Sequence, residues 1–182
     1  MGNDPAGFCN PYGLTRALLS PNPVEMVQTS DRIFQFFAWT RQWREIWLDG
    51  RDLPLEPDLP CWYGYSVGRW EGDTLIVDTV GFDPRSWVDH FGYPHSDQMK
   101  LQERYRRVEP ETLELIMTLT DPLTYEAPWE SERKIFRLAP RDVMTYDGWY
   151  GILEEPCAPV DEVDSFNSTI RNPAAGVGGV AR

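Results

Sequence analysis

The stretch WYGYSVGRWEGDTLIVDTVGF, residues 62–82, contains the pattern of a complete β-hairpin. Residues 62–70 and 74–80 are rich in aromatic and β-branched side chains, which suit a pleated strand. Between them, Glu71-Gly72-Asp73 is a turn sequence in which the glycine relieves the strain of a positive φ. The stretch therefore predicts two neighbouring strands joined by a tight turn.

Segments of the same kind lie on both sides of this stretch. Leucine and methionine occupy every second position from 113 to 119, opposite mainly polar side chains. A side-chain period of two, with one apolar face and one solvent-exposed polar face, is typical of an antiparallel sheet. The predicted strands are residues 24–29, 32–39, 42–48, 62–70, 74–80, 99–108, 113–120 and 133–138.

One part of this pattern has two interpretations. The aromatic residues of 33–47 also fit one stripe of a helix. We prefer strands, because aromatic side chains suit a pleat and Asp49-Gly50 is a strong hairpin signal after residues 42–48.

Eight strands with neighbour-to-neighbour turns predict a mainly β chain, a single antiparallel up-and-down β-barrel of the lipocalin or calycin type. A barrel of this strand number removes exposed edges and can hold one small ligand. A two-sheet β-sandwich is the alternative. The expected organisation is one domain, residues 1–182, with a barrel core over 23–138 and an irregular extension over 139–182.

Charge and hydropathy exclude several classes of function. The 182 residues include 17 basic and 29 acidic side chains, a net charge of −12, which argues against nucleic-acid binding. No apolar run approaches the ~20 residues that cross a bilayer, so no membrane partner is predicted. The first twenty residues lack the basic start and apolar run of a secretory signal. A cytoplasmic location is therefore predicted, with the periplasm as the alternative if a signal has been removed.

Cysteine spacing and cofactor motifs narrow the chemistry further. Cys9, Cys61 and Cys157 show no CxxC spacing, which argues against a structural zinc site. Cys9 and Cys157 lie in irregular, proline-rich ends, where a disulfide would act as a staple, and the sequence leaves their pairing open. No GxGxxG or GxxxxGK[ST] motif occurs, and no cofactor is predicted.

Several motifs together resemble a known family. Residues 62–82, PHSD at 94–97, ERYRR at 103–107 and DPLTYEAPW at 121–129 resemble a large bacterial family of uncharacterised β-rich proteins with a GRWEGDTLIVDT-type motif. The resemblance covers residues 23–138 and implies no activity. Many relatives have GHS where this chain has Gly64-Tyr65-Ser66, and they often begin with a secretory signal.

The first candidate site is the long loop of residues 81–98, which contains both histidines of the chain, His90 and His95. Histidine exchanges protons near neutral pH, and Asp89 or Asp97 could fix its tautomer. Aromatic residues beside them, Trp87 and Phe91, suit a lid over a barrel mouth. The alternative is that these histidines only cap local turns. The loop could also supply His90, His95 and Asp97 to a metal, but loop spacing is poor for one, and none is predicted.

Other candidates lie on the predicted strands and on a later crossing. Asp78 in LIVDTVGF is either buried, where its pKa would rise, or bonded to backbone amides. Arg44, Glu103 and Tyr105 lie within predicted strands, and Glu103 shares a face with Tyr105. If that face lines the barrel, Arg44 suits a counter-ion or carboxylate binder; surface ion pairing is the alternative. Tyr125 and Trp129 of DPLTYEAPW would close one wall of a pocket or plug a barrel end.

The sequence thus predicts a cofactor-independent acid–base enzyme, a lyase, isomerase, cyclase or hydrolase acting on a small apolar or aromatic compound. The predicted catalytic residues are His90, His95, Asp97, Asp78 and Tyr65. The predicted substrate-binding residues are Arg44, Trp62, Trp87, Phe91, Glu103, Tyr105, Tyr125 and Trp129. Tyr65 and Tyr125 are expected to donate to an oxyanion. The alternatives are a non-catalytic carrier of a hydrophobic ligand and, for a solidly packed barrel, a structural protein; homo-oligomerisation stays open.

Overall fold

A computed structural model describes residues 4–38, 42–140 and 157 of the chain. A short 3-10 helix, Pro5–Phe8, and one α-helix, α1 (Leu14–Leu19), precede the strands. The strands are β1 (Val24–Gln28), β2 (Arg32–Phe37), β3 (Trp43–Trp47), β4 (Tyr65–Glu71), β5 (Thr74–Val80), β6 (Lys100–Glu109), β7 (Thr112–Thr120), β8 (Trp129–Glu130) and β9 (Lys134–Arg137).

The strands form one strongly curled sheet with the shape of a half-barrel. Its order follows the chain from β1 to β8, and β9 pairs with β7 beside β8. The prediction of a mainly β, barrel-like chain is confirmed. So are the strands predicted where a helix was the alternative, since β2 and β3 pair in register from Arg32 opposite Trp47 to Phe36 opposite Trp43.

The hairpin predicted at Asp49-Gly50 is wrong. Strand β3 pairs in parallel with β4, through Ile46 opposite Ser66 and Trp47 opposite Val67, and residues 48–64 form a crossing between them. Arg51 pairs with Asp49 at 2.7 Å and packs on the Trp47 ring at 3.4 Å, so the chain turns back over β3. The crossing contains three prolines, which cannot donate to a sheet ladder.

The concave face of the sheet is filled by apolar side chains. Leu14 and Leu18 lie one turn apart on α1 and pack into the core with strand residues and with Phe82 of the 81–98 loop. Leu14, Leu18, Phe82 and Met117 are each at most 1% exposed. Helix α1 was not predicted, and it fills part of the space that the barrel prediction left for a ligand.

A disulfide joins Cys9 to Cys157, with their Cα atoms 5.6 Å apart, so the pairing that the sequence left open is present. It connects points 148 residues apart and leaves Cys61 as the free cysteine of the chain. The predicted extension, 139–182, lies outside the described residues apart from 139, 140 and 157. Within the part of the chain that the structure describes, no helix has the length and hydropathy of a membrane span.

Two glycines with the same backbone conformation allow crowding at the start of β4 to be tested. Gly64 has φ +64, and a Cβ there would lie 2.7 Å from Thr79 Cγ2 and from the Val80 carbonyl oxygen. Gly72 has φ +63 in the turn after β4, with nothing within 4 Å. We expect Gly72→Ala to lower the free energy of unfolding by roughly 1–2 kcal/mol. Gly64→Ala should lower it by roughly a further 1–3 kcal/mol, because a backbone oxygen cannot move aside.

Urea denaturation of both variants measures this difference. Equal losses for the two alanines would contradict the close packing described at Gly64.

Candidate functional site

A cleft of about 680 Å³ opens at the seam between β3 and β4. In the described residues these two strands share only two residue pairs, and the cleft lies where they separate, beside the first residues of each strand. We call it the seam cleft. It is lined by Gln42, Trp43, Arg44, Glu45, Trp47, Arg51, Asp52, Pro54, Cys61, Trp62, Tyr63, Gly64, Tyr65, Ser66 and Val67.

Aromatic side chains dominate the walls of the seam cleft. Trp47 has two guanidinium groups over its ring, that of Arg51 at 3.4 Å and that of Arg32 at 3.6 Å. Two such groups cannot share one face at these distances, so the ring is held between them. Arg85 lies over Trp62 at 4.7 Å. These cation–π contacts fix the crossing and the loop after β5 against the cleft walls.

A buried ion pair lies behind the cleft. Arg44 and Glu103 form two hydrogen bonds, from Nη1 to Oε2 at 2.8 Å and from Nη2 to Oε1 at 2.7 Å, and their side chains are 2% and 0% exposed. The remaining Arg44 donors contact Gln35 Oε1 at 2.7 Å, Ser66 Oγ at 3.2 Å and the Tyr105 hydroxyl at 3.5 Å. The Tyr105 hydroxyl donates to Glu103 Oε1 at 2.8 Å.

This network is closed on itself. Burial alone would lower the pKa of Arg44, but the facing Glu103 carboxylate outweighs it and holds the pKa above its ordinary value. Burial, and then the same carboxylate, raise the pKa of Tyr105. The structure thus brings together Arg44, Glu103 and Tyr105, as their strand positions indicated. Because their polar atoms bond one another, the group acts in this conformation as a rigid floor.

His95 is buried and locked in one tautomer. Its Nδ1 lies 2.9 Å from the Ser96 carbonyl oxygen, which only accepts, so Nδ1 carries the hydrogen. Its Nε2 lies 2.8 Å from Ser86 Oγ, whose one hydroxyl hydrogen is shared between Nε2 and the Asp83 carbonyl oxygen at 3.0 Å. Burial lowers the pKa of His95 below 6.5, and the Ser96 carbonyl and the carboxylates of Asp121 and Asp83 oppose this shift. His95 is therefore neutral near neutral pH.

His90 has the opposite tautomer. Its Nδ1 accepts from Arg16 Nε at 3.4 Å, so Nε2 carries the hydrogen and donates to Ser20 Oγ at 3.0 Å. The Ser20 hydroxyl donates onward to the Arg16 carbonyl at 2.8 Å. Arg16 is held by two hydrogen bonds of 2.8 Å to Asp4. His90 thus ties the 81–98 loop to the N-terminal helix.

The carboxylates expected to orient the histidines lie elsewhere. Asp89 accepts from the amides of Phe91 and Tyr93 in its own loop, and Asp97 is exposed. Asp121 instead binds the amide and hydroxyl of Ser96, at 2.6 and 2.7 Å, and so supports the carbonyl that fixes His95. Among the described residues, no group of three or more His, Cys, Asp or Glu side chains is placed to hold a metal ion.

The other predicted site residues are dispersed. Trp62 and Tyr65 line the seam cleft, as does Arg44, but neither histidine does. Trp87 packs near Arg16, Phe91 is almost fully exposed, and Trp129 lies on the edge strand β8. Asp78 is half-buried and bonded to Arg69 at 2.5 Å and Gln102 at 2.8 Å.

Both tyrosines expected to serve an oxyanion donate to backbone carbonyls. Tyr65 bonds the Leu59 oxygen at 2.9 Å, and Tyr125 bonds the Pro94 oxygen at 2.6 Å. The Cys61 thiol, and then burial, raise the pKa of Tyr65. In this conformation neither phenol hydrogen is directed at a ligand.

The sequence reasoning missed most of the cleft. Trp43, Trp47 and Tyr63 carried the signal of strand aromatics, and Arg51 and Asp52 follow the Asp49-Gly50 turn that was read as a hairpin. If the proline-rich segment 48–64 had been identified as the connection between two parallel strands, the first residues of β3 and β4 would have been predicted side by side.

No protein-family model, curated protein or solved structure matches this chain in our comparisons. The function is therefore argued from the seam cleft and the groups around it.

The buried pair can be tested by removing one charge. Glu103→Gln keeps the shape but leaves the Arg44 guanidinium buried without its counter-ion, so we expect a loss of roughly 3–5 kcal/mol in the free energy of unfolding. Asp73→Asn breaks an exposed pair with Arg106 and should cost under about 1 kcal/mol. Chemical denaturation of both variants measures the contrast.

The double replacement Arg44→Met with Glu103→Leu should recover part of the loss, because it removes both charges but takes away the hydrogen-bond partners of the buried Gln35 and Tyr105. A Glu103→Gln variant as stable as Asp73→Asn would contradict the buried geometry.

The lowered pKa of the buried His95 predicts that the stability of the fold depends on pH. Its pKa is lowered in the folded chain, so as pH falls through 6.5 the unfolded chain takes up a proton that the folded chain does not. We expect the free energy of unfolding to fall as the pH is lowered from neutral through 6.5. His95→Gln should remove this part of the dependence.

His90→Gln is the matched control and should keep the dependence, because His95 is still present. Denaturation curves at several pH values measure it, and a His95→Gln variant with the full wild-type slope would exclude His95 as its source.

Proposed function

We propose that this protein binds a small organic compound with an aromatic or planar part in the seam cleft. One observation carries the proposal: an open cleft of about 680 Å³ is walled by five aromatic side chains over a rigid polar floor. Clefts of this size, mainly apolar and aromatic with a few fixed polar groups, are typical of small-molecule sites.

The floor supports binding more than chemistry. The Arg44 donors and the Tyr65 hydroxyl are engaged within the protein, so they shape the cleft and bring no free acid or base into it. A preformed cleft needs little ordering of side chains when a ligand enters, which favours affinity. A binding module is therefore the function that the geometry supports best.

An acid–base enzyme is the second candidate. The observation that favours it is the Ser86–His95 pair, in which a neutral imidazole nitrogen faces a hydroxyl at 2.8 Å. A base next to a hydroxyl is the arrangement that activates a nucleophile. Ser86 and His95 are 3% and 5% exposed, so a substrate would reach them only if the 81–98 loop opened.

Two tryptophans of nearly equal exposure test the cleft. Trp43 on β3 is 53% exposed and lines the cleft, whereas Trp70 on β4 is 52% exposed and does not. With indole, 2-naphthol and benzylamine as probes, we expect at least one to change the tryptophan fluorescence and to slow alkylation of Cys61 by iodoacetamide. Trp43→Ala should weaken that probe about tenfold through loss of aromatic contact, and Trp70→Ala should leave its affinity unchanged.

Equal effects of the two substitutions, or no probe that protects Cys61, would contradict the proposal. Mass spectrometry after long incubation separates the two candidates. An unaltered probe supports a binding module, and conversion that is lost in His95→Gln supports the enzyme.

A further inference from the structure

We infer that the ligand of the seam cleft is an organic cation, an amine or quaternary ammonium carried on an aromatic group. The inference rests on the proposed function, since it names the ligand class of the same cleft. It is argued from the charges around the cleft, from the aromatic rings that face it, and from the engagement of its arginines.

Acidic groups outnumber basic ones on the crossing that forms the outer wall. Asp49, Asp52, Glu56 and Asp58 lie in this segment with a single basic residue, Arg51. Arg51 is paired with Asp49, so its charge is already matched. Asp52, an exposed residue, lines the cleft, and no hydrogen bond or ion pair to its carboxylate occurs within residues 4–38, 42–140 and 157.

The other guanidinium groups described at the cleft each have at least one carboxylate partner. Arg44 is neutralised by Glu103 behind the floor. Glu45 pairs with Arg32 at 3.1 Å, and Arg32 also pairs with Asp31 at 2.8 Å. Among the described residues, a cation entering the cleft therefore finds the Asp52 carboxylate without a partner, whereas the two arginines that line the cleft, Arg44 and Arg51, are each paired with a carboxylate.

The aromatic walls already bind cations. Trp47 and Trp62 hold guanidinium groups of the protein itself, at 3.4 and 4.7 Å. Because guanidinium groups occupy those two rings, a ligand cation would use Trp43, which is 53% exposed and lines the same cleft. Aromatic rings beside a carboxylate are the combination that recognises ammonium groups, through cation–π attraction and ion pairing. The net charge of −12 also raises the local concentration of cations around the chain.

Three probes that share a phenyl ring and differ in charge test the inference: benzyltrimethylammonium, benzyl alcohol and benzoate. Calorimetric titration of the full chain at low salt should give benzyltrimethylammonium an affinity at least about tenfold above benzyl alcohol, with benzoate the weakest. Asp52→Asn should weaken the cation about three- to tenfold and leave benzyl alcohol unchanged. Glu56→Gln, an exposed carboxylate of the same crossing that does not line the cleft, is the matched control and should have little effect.

The outcomes separate this inference from the proposed function. Equal affinity for the three probes, a preference for benzoate, or equal effects of Asp52→Asn and Glu56→Gln would overturn the cation assignment. If Cys61 is still protected from iodoacetamide in those cases, the cleft remains a small-molecule site. Failure of all three probes to bind or to protect Cys61 would overturn both.

Discussion

The buried Arg44–Glu103 ion pair is the constraint on which the rest of the structure depends. The two residues lie on β3 and β6, with β4 and β5 between them in the sheet. Neighbouring strands are about 4.8 Å apart, so these side chains can meet at 2.7 Å only across the hollow of a strongly curled sheet. Two charges without water are tolerated only when their hydrogen bonds are complete. Gln35, Ser66 and Tyr105 complete them, and Ser66 Oγ also bonds Thr79 Oγ1 on β5 at 2.9 Å. One polar cluster therefore joins the five consecutive strands β2 to β6.

Local patterns predicted the strands well because they depend on neighbours in sequence. Alternating side chains and the turn at 71–73 gave boundaries within about three residues of those observed for β4 to β7. The same alternation placed Glu103 and Tyr105 on one face, with Arg44 as a candidate counter-ion. The parallel pairing of β3 with β4 was not predictable in this way, because it depends on how the 48–64 crossing packs on Trp47. Helix α1 was missed because only six residues form it, too few for a helical period to show, and its three leucines pack on core residues that are distant in sequence.

The histidine loop shows why residue type alone does not define a site. Its two imidazoles are held in opposite tautomers, His90 by an arginine donor and His95 by a carbonyl acceptor. Each ring therefore joins the loop to a different part of the fold, His90 to α1 and His95, through Ser96, to Asp121 at the end of β7. A sequence shows that histidines and carboxylates are close along the chain. It does not show that His90 bonds Ser20, 70 residues away, or that the carboxylate behind His95 is Asp121, which bonds Ser96 from 25 residues away.

The place of the seam cleft follows from the one departure from antiparallel order. Hairpin neighbours are joined by tight turns and pair up to their ends, as β4 and β5 do from Glu71 opposite Thr74 to Tyr65 opposite Val80. Parallel neighbours need a long connection, and here that connection is too rich in proline to add a strand. Only two residue pairs join β3 to β4 in the described sheet. The first residues of these strands do not pair with each other, and the space between them is open. At this opening the tryptophans of β3 form walls of the cleft. The buried Arg44–Glu103 ion pair keeps the floor below them rigid.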